Sequence, residues 1–459
     1  MKAVFKYECI AILLICFFFL VQKGFANPGN RPNIIIILAD DLGYGDLGCY
    51  GQEKIQTPNI DRLAREGMRF TQAYAGSTVC APSRCSLMTG LHNGHNRIRD
   101  NVPLGIFLQP DDFTIAELLK QAGYRTGGIG KWSLGNPGSW GVPVYQGFDY
   151  YYGQLNQNQA HFYYPDYLWE NDRVVLLTGN RGEKKQQYTQ DLYTKKALGF
   201  INTHKQHPFF LYLAYTIPHF SDYPPGTPDY YIVPSDEPYS DKNWPQISKN
   251  YAAMVTRLDR DVGRIMNELK DLGIDQQTLV IFTSDNGPLK KHIDEVYEFF
   301  DSNGPLKGGK RDMHEGGIRV PFIVWWRGTV NESSVSDEII AFWDIMPTIA
   351  ELISYPGKPC TDGLSFLPAL QGQDKEDHAY LYWDYGHTRG RFSQAVRYDH
   401  YKGIRYQDEK KTSFELYDLS NDPGENNNIA GNEPGVLEKI ISFMEEAYVP
   451  DGNYPRVNQ

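Results

Sequence analysis

After residue 26 the chain lacks any apolar run approaching the roughly 20 residues that a membrane-spanning helix needs, so nothing beyond that point predicts a span or a stable membrane association. It also lacks internal repeats and low-complexity tracts, which excludes solenoids and long disordered tails. Positive charge is in short supply: 45 Lys and Arg face 56 Asp and Glu, for a formal net charge of −11. Nucleic-acid binding through a basic surface is therefore not expected. A chain of this balance that handles an anion must gather its positive charge into one pocket. Cysteine is scarce, with six in 459 residues, and two of these, Cys9 and Cys16, fall in the first 26. Cys49, Cys80, Cys85 and Cys360 remain, too few for a disulfide scaffold.

Those first 26 residues have the grammar of a secretory leader. Lys2 and Lys6 give a basic start, Ile10 to Val21 an apolar run, and Gly24-Phe25-Ala26 a small-x-small cleavage site. The run is too short to span a bilayer. No Cys follows the cleavage point to carry a lipid. Export to the periplasm or beyond is the expectation, with cleavage near Ala26. The remaining length suits one large domain and a smaller one, placed at 27–372 and 373–459. Tyr alone contributes 32 residues to a 14% aromatic content. Core packing is the default reading, although Trp169, Trp244, Trp383 and Tyr385 could also stack on sugar rings.

Asn33 to Ala39 is an unbroken, β-branched apolar run, the signature of a buried parallel strand. It ends in Asp40-Asp41. A helix follows, with Thr57 as cap, Pro58 at its first position and Gly67 beyond its end. Further strands are expected at 68–74, 124–129, 209–216, 278–283 and 320–326, and helices at 114–122, 188–202, 248–272 and 344–352. Strand and helix alternate, which predicts an α/β sandwich around a largely parallel sheet. The polar residues that interrupt the pattern follow strand carboxyl ends, where open α/β sheets place ligands. After about Gly372 short strands at 379–385, 394–397, 401–406 and 414–418 and a helix at 434–448 predict a small antiparallel α+β unit.

Asp40, Asp41, Asp285 and Asn286 offer only oxygen donors, from the ends of two strands with the same grammar. Such hard ligands suit Ca²⁺ or Mg²⁺, not zinc. A lone Cys in a loop is usually a small packed hydrophobe. Cys80, however, opens a segment that can form a helix ending near Gly90, with Arg84 four residues on. A nucleophile at a helix N-terminus beside a guanidinium suits an anionic substrate. The spacing does not say which anion.

Cys80-Ala81-Pro82-Ser83-Arg84, continued by Leu87, Thr89 and Gly90, resembles the C-x-P-S-R-x-x-L-x-T-G signature of the type I sulfatases. Other family motifs follow in order: Asp-Asp after the first strand, Gly130-Lys131-Trp132-Ser133-Leu134-Gly135, Pro218-His219, Asp285-Asn286-Gly287, and Leu306 to Pro321 with Lys310 and Glu315-Gly316-Gly317. The resemblance implies an alkaline-phosphatase-like α/β/α sandwich and a sulfuric ester hydrolase. It further implies that Cys80 is oxidised to formylglycine by a dedicated maturation enzyme, aerobic or anaerobic. One hydroxyl of the hydrated aldehyde attacks sulfur and the other expels sulfate afterwards. Asp40, Asp41, Asp285, Asn286 and residue 80 would hold calcium. Arg84, Lys131 and Lys310 would stabilise the transferring group, and His219 would protonate the departing oxygen.

The sequence departs from the family at Ser133, where a His commonly assists the aldehyde. His92, His95 or a water could take that part. Ser133, Arg99, Asn101, His161 and Asn303 are the candidates for substrate contact. Export and the carbohydrate-type motifs point to a sulfated poly- or oligosaccharide, with galactose or N-acetylgalactosamine sulfate favoured. The alternatives are a phosphate or phosphonate monoester hydrolase of the same superfamily, and a sulfated-glycan-binding protein with impaired catalysis.

Overall fold

The computed structural model describes residues 31–101, 105–221, 230–290, 294–387 and 389–456. The expected leader, residues 1–26, lies outside them. Ten strands form the main sheet: β1 (Asn33–Asp40), β2 (Met68–Tyr74), β3 (Arg125–Lys131), β4 (Tyr150–Gln154), β5 (Tyr167–Glu170), β6 (Arg173–Leu176), β7 (Phe209–Pro218), β8 (Thr278–Ser284), β9 (Phe322–Trp325) and β10 (Ser334–Ala341). Their order is β10-β2-β9-β8-β1-β7-β3-β4-β5-β6. The central strands β8, β1, β7, β3 and β4 are parallel neighbours, while β9 runs against both β2 and β8.

Strand β1 shows why the sheet is covered on both faces. Successive side chains alternate. Ile34, Ile36 and Leu38 enter one core, with Leu87, Leu118 and Ile349 from three helices. Ile35, Ile37 and Ala39 enter the other, with Leu63, Phe200, Leu258 and Ile265. The long helix Gln246–Asp271 carries the expected buried stripe of Tyr251, Met254, Leu258, Val262, Ile265 and Leu269. Thr114 caps the helix Ile115–Gln121 through a capping box with Glu117.

Strands β4, β5, β6 and β10 and the helix Asp294–Phe300 add to what the sequence pattern predicted. β10 reads SVSDEIIA and lies at the sheet edge, where polar residues face water and the apolar alternation fades.

The last strands, β11 (Leu381–Tyr385), β12 (Arg391–Tyr398), β13 (Tyr401–Asp408) and β14 (Thr412–Asp418), form an antiparallel meander. One face packs on the helix Pro434–Glu446 through Ile440, Phe443 and Met444. The other packs on the main body, with Trp383, Ala395, Ile404 and Tyr417 against Tyr74, Val79 and Trp343. Trp383 is fully buried and donates to the Ala75 carbonyl at 2.9 Å, so it is core and not a sugar platform. Trp244 likewise packs on Tyr239, Phe299 and Phe300.

Candidate active site

Strands β8, β1, β7 and β3 end side by side. Parallel pairing sets Ala39 opposite Ser284 and Asp40 opposite Pro218. The residues at and just beyond these ends therefore converge: Asp285 and Asn286, Asp40 and Asp41, His219, and Lys131. All of them are buried.

The helix Cys80–Thr89 sends its N-terminus into the same edge. Val79 is extended, Cys80 is the first helical residue, and Gly90 stops the helix in a left-handed conformation at φ 71°. Pro82 is tolerated because it lies in the first turn, where N–H groups have no intrahelical partner. The four-residue spacing stacks Cys80 and Arg84 on one face.

The Cys80 Sγ lies 3.4 Å from Asp40 Oδ1 and 3.4 Å from Lys310 Nζ. Lys310 donates to both oxygens of Asp41, at 2.7 and 2.8 Å. Lys131 donates to Asp40 Oδ2 at 2.7 Å and sits 3.2 Å from His161 Nε2. Arg84 donates from Nε and Nη2 to Asp285 Oδ2 and from Nη1 to the Lys131 carbonyl at 2.9 Å. His219 Nε2 faces Asp41 Oδ2 at 3.4 Å, and its ring stacks on His161 with centroids 3.6 Å apart.

Electrostatics follow from this packing. Burial works to raise the pKa of Asp40, but the charges of Lys131, Arg84 and Lys310 outweigh it and hold the group well below the usual carboxylate range. Burial, and next the charge of Lys310, lowers His219, so its resting form is the neutral imidazole. With Nδ1 donating to the Phe220 carbonyl at 2.6 Å, Nε2 then presents its lone pair. Burial and the adjacent Asp40 push the Cys80 thiol up to about 12. Unmodified, it is a protonated thiol and a poor nucleophile.

The carboxylates and the Asn286 amide oxygen gathered here fit a hard cation. Asp40, Asp41, Cys80 and His219 bring ligating atoms within 4.8 Å of one another. Asn286 donates Nδ2 to Asp41 Oδ1 at 2.8 Å, while its own Oδ1 is buried without a hydrogen-bond partner among the described residues. A buried amide oxygen normally has a partner, and a cation would be one. Arg84, Lys131 and Lys310 offset three carboxylates. A substrate sulfate would add negative charge to this balance, which a divalent ion can meet.

The family model named Sulfatase matches residues 32–355 of this chain. The chain belongs to the sulfatase family. A second model, the N-sulphoglucosamine sulphohydrolase C-terminal region, matches residues 308–448 of this sulfatase. It is 30% identical to the N-acetylgalactosamine-6-O-sulfatase of Bacteroides thetaiotaomicron, over 93% of this chain and 94% of that protein. It is 32% identical to human arylsulfatase A, over 90% and 86% of the two chains. Among solved structures, Ps i-CgsB in complex with k-i-k-neocarrahexaose superposes with a TM-score of 0.79 at 29% identity, covering 94% of this chain and 95% of that one. The phosphonate monoester hydrolase of Agrobacterium radiobacter shares the fold, with a TM-score of 0.63 at 20% identity over 91% and 96% of the chains.

Within this sulfatase two of the sequence-based candidates for substrate contact, Asn303 and Arg99, hydrogen-bond to backbone carbonyls. Asn303 spends its amide on the Gly308 and Gly316 carbonyls, at 2.7 and 2.9 Å, and so braces the loop carrying Lys310. Arg99 is buried and donates to the Asn96 and Val449 carbonyls at 3.0 and 2.6 Å, tying down the C-terminal segment. Asn101 lies close to the centre: its Oδ1 accepts the Ala81 N–H at 3.0 Å. Ser133 turns through φ 70°, and its buried hydroxyl has no partner among the described residues.

His92 and His95 do not replace the missing family histidine. They stack on each other at 4.2 Å beside Asp362, past the far end of the ten-residue nucleophile helix, which at 1.5 Å per residue is about 15 Å long. The imidazole that does adjoin Lys131 is His161, brought in by the short turn Gln159–His161.

Proposed function

We propose that this sulfatase removes sulfate from a sugar of a poly- or oligosaccharide, with galactose or N-acetylgalactosamine sulfate favoured. The names of the relatives and the carbohydrate in the Ps i-CgsB complex support the sugar. One observation carries the chemistry: residue 80 opens a buried helix 3.4 Å from both an acid and an ammonium.

Formylglycine at position 80, when formed by a maturation enzyme, supplies two hydroxyls on one carbon, one to attack sulfur and one to release sulfate. A divalent cation, calcium by its all-oxygen donors, would be held by Asp40, Asp41, Asp285, Asn286 and residue 80; when bound it supplies positive charge that makes a nearby hydroxyl more acidic.

The chain's own residues do the rest. Lys131 and Lys310 approach residue 80 from opposite carboxylates and stabilise charge on the transferring group. Arg84 fixes Asp285 and the Lys131 backbone, and so sets their spacing. His161 accepts from Lys131 and stacks on His219, holding that ring in place. His219 delivers a proton to the departing oxygen from its imidazolium form, which an anionic substrate favours by offsetting Lys310.

Residues 27–372 carry this centre and 373–459 close one side of it. The chain acts after export and leader cleavage near Ala26. Matched sulfate and phosphate monoesters of one sugar test the reading. Turnover of the sulfate ester alone is expected. Preference for the phosphate ester would move the protein to the phosphate and phosphonate hydrolases. Binding without turnover by protein with a verified aldehyde at residue 80 would leave a binding protein.

A further inference from the structure

The turn between β11 and β12 carries Arg389 back toward the nucleophile. Its guanidinium lies 5.2 Å from the Tyr385 ring centroid and donates to buried Asp100, with Nη2 at 2.9 Å and Nε at 3.2 Å. Asp100 precedes Asn101, whose side chain holds the backbone of Ala81 beside residue 80. Arg389 Nη1 makes no hydrogen bond among the described residues, and the side chain is 32% exposed.

Two more groups belong to this place. The Tyr385 hydroxyl is buried, with the residue 6% exposed, and has no hydrogen-bond partner among the described residues. Its electrostatic surroundings are Asp100, Arg389, Arg311 and Lys310. Arg311 follows Lys310 at φ 76°, and its N–H bonds the Thr78 carbonyl at 3.0 Å, two residues before Cys80. Arg311 is exposed, and its guanidinium has no ion pair or hydrogen bond among the described residues.

A surface arginine alone would mean little. Here one free guanidinium, one half-used guanidinium and one orphaned hydroxyl come from two distant segments and share one electrostatic neighbourhood. They present donors, and Asp100, the acidic group beside Tyr385, is already paired with Arg389. Donors of this kind select an anion, and guanidinium forks match sulfate or carboxylate oxygens.

We propose that Arg311, Tyr385 and Arg389 form a second anion subsite beside the cleavage centre, which reads a sulfate or carboxylate on the glycan other than the sulfate removed. This rests on the carbohydrate reading above. It assigns the C-terminal meander a part in substrate choice, and it makes a polyanionic glycan the preferred substrate over a singly sulfated one.

The test uses protein with the aldehyde at residue 80 verified. Three oligosaccharides are compared: one with only the scissile sulfate, one with an additional sulfate, and one with a uronate carboxylate. The measured quantity is the kcat/KM preference for each doubly charged substrate over the singly charged one. Arg311→Ala and Arg389→Ala are each expected to reduce that preference about tenfold, the scale of a charge-assisted contact, mostly through KM. Arg389→Lys should retain part of it. The substrate whose preference falls identifies the anion.

Preferences that hold in both variants overturn the subsite. So does an equal slowing of all three substrates, which would mean that Arg389 merely neutralises Asp100. Should Arg389→Ala fail to fold, Arg311→Ala, which removes an exposed unpaired side chain, decides alone. A wild type that cleaves none of the three defeats the carbohydrate reading itself. A wild type that cleaves them with unaltered preferences in the variants defeats only the subsite.

Discussion

Arg84 clasps Asp285 through two nitrogens, at 2.9 and 2.7 Å from a single carboxylate oxygen, with both side chains fully buried. The other oxygen of Asp285 accepts the Asp41 N–H at 3.2 Å. One guanidinium thus locks the nucleophile helix to the tips of β8 and β1. Arg84→Ala leaves a buried carboxylate uncompensated, a loss of about 3–5 kcal/mol. Thermal denaturation should show a large drop, together with lost turnover. Arg84→Lys should recover stability in part but not rate, because a point charge cannot span Asp285 and the Lys131 carbonyl. Wild-type turnover in either variant would speak against the role given to Arg84.

The oxygen-donor cluster predicts a stabilising ion. A cation that binds only the folded chain, present at a hundred times its Kd, adds about 2.7 kcal/mol. Chelator-treated protein should melt earlier and lose activity. Calcium should restore both better than magnesium, since the donor set includes a neutral amide and leaves geometry flexible. Asn286→Ala should weaken that rescue. A melting temperature indifferent to calcium would remove the metal from the site.

Proton delivery by His219 predicts a dependence on the leaving group. A nitrophenol departs without help, whereas a sugar alkoxide does not. His219→Gln should slow sugar sulfates by about 10²–10⁴-fold, the usual worth of a general acid, and aryl sulfates far less. Equal losses on both would assign His219 to positioning alone.

Glu315 joins the meander to the main body. It is buried, pairs with Lys402 at 3.0 Å and Arg319 at 3.2 Å, and accepts from the Tyr74 hydroxyl at 2.7 Å. Burial would raise its pKa, but Lys402, Arg319 and Arg397 bring it down to about 2 from an ordinary 4.5. A depressed carboxylate stabilises the fold fully above pH 4.5 and loses that contribution as pH falls toward 2. The sum is about 3 kcal/mol. Denaturant titrations between these pH values should show stability falling with acid, and Glu315→Gln should be less stable at neutral pH and flatter across the window.

Much of the centre was legible because strand grammar and chemistry coincide. Apolar runs ending in Asp40-Asp41, Asp285-Asn286, His219 and Lys131 mark parallel strand tips, and parallel tips share one edge. Partnership was not legible. The sequence marks Asn303 and Arg99 as polar groups near the motifs but does not show that they donate to backbone carbonyls. His161 reaches Lys131 from a three-residue turn with no periodicity to announce it. Strands such as β10 stayed hidden because an edge strand need not be apolar on both faces.

The account turns on cleavage of the S–O bond, with attack at sulfur and not at the sugar carbon. Turnover of a sulfated sugar in heavy-oxygen water, by protein whose residue 80 has been verified as the aldehyde, tests this in one measurement. The hydrate exchanges its oxygens with solvent, so the heavy isotope should appear in the released sulfate and not in the sugar hydroxyl. Label in the sugar, or no sulfate released at all, would contradict it.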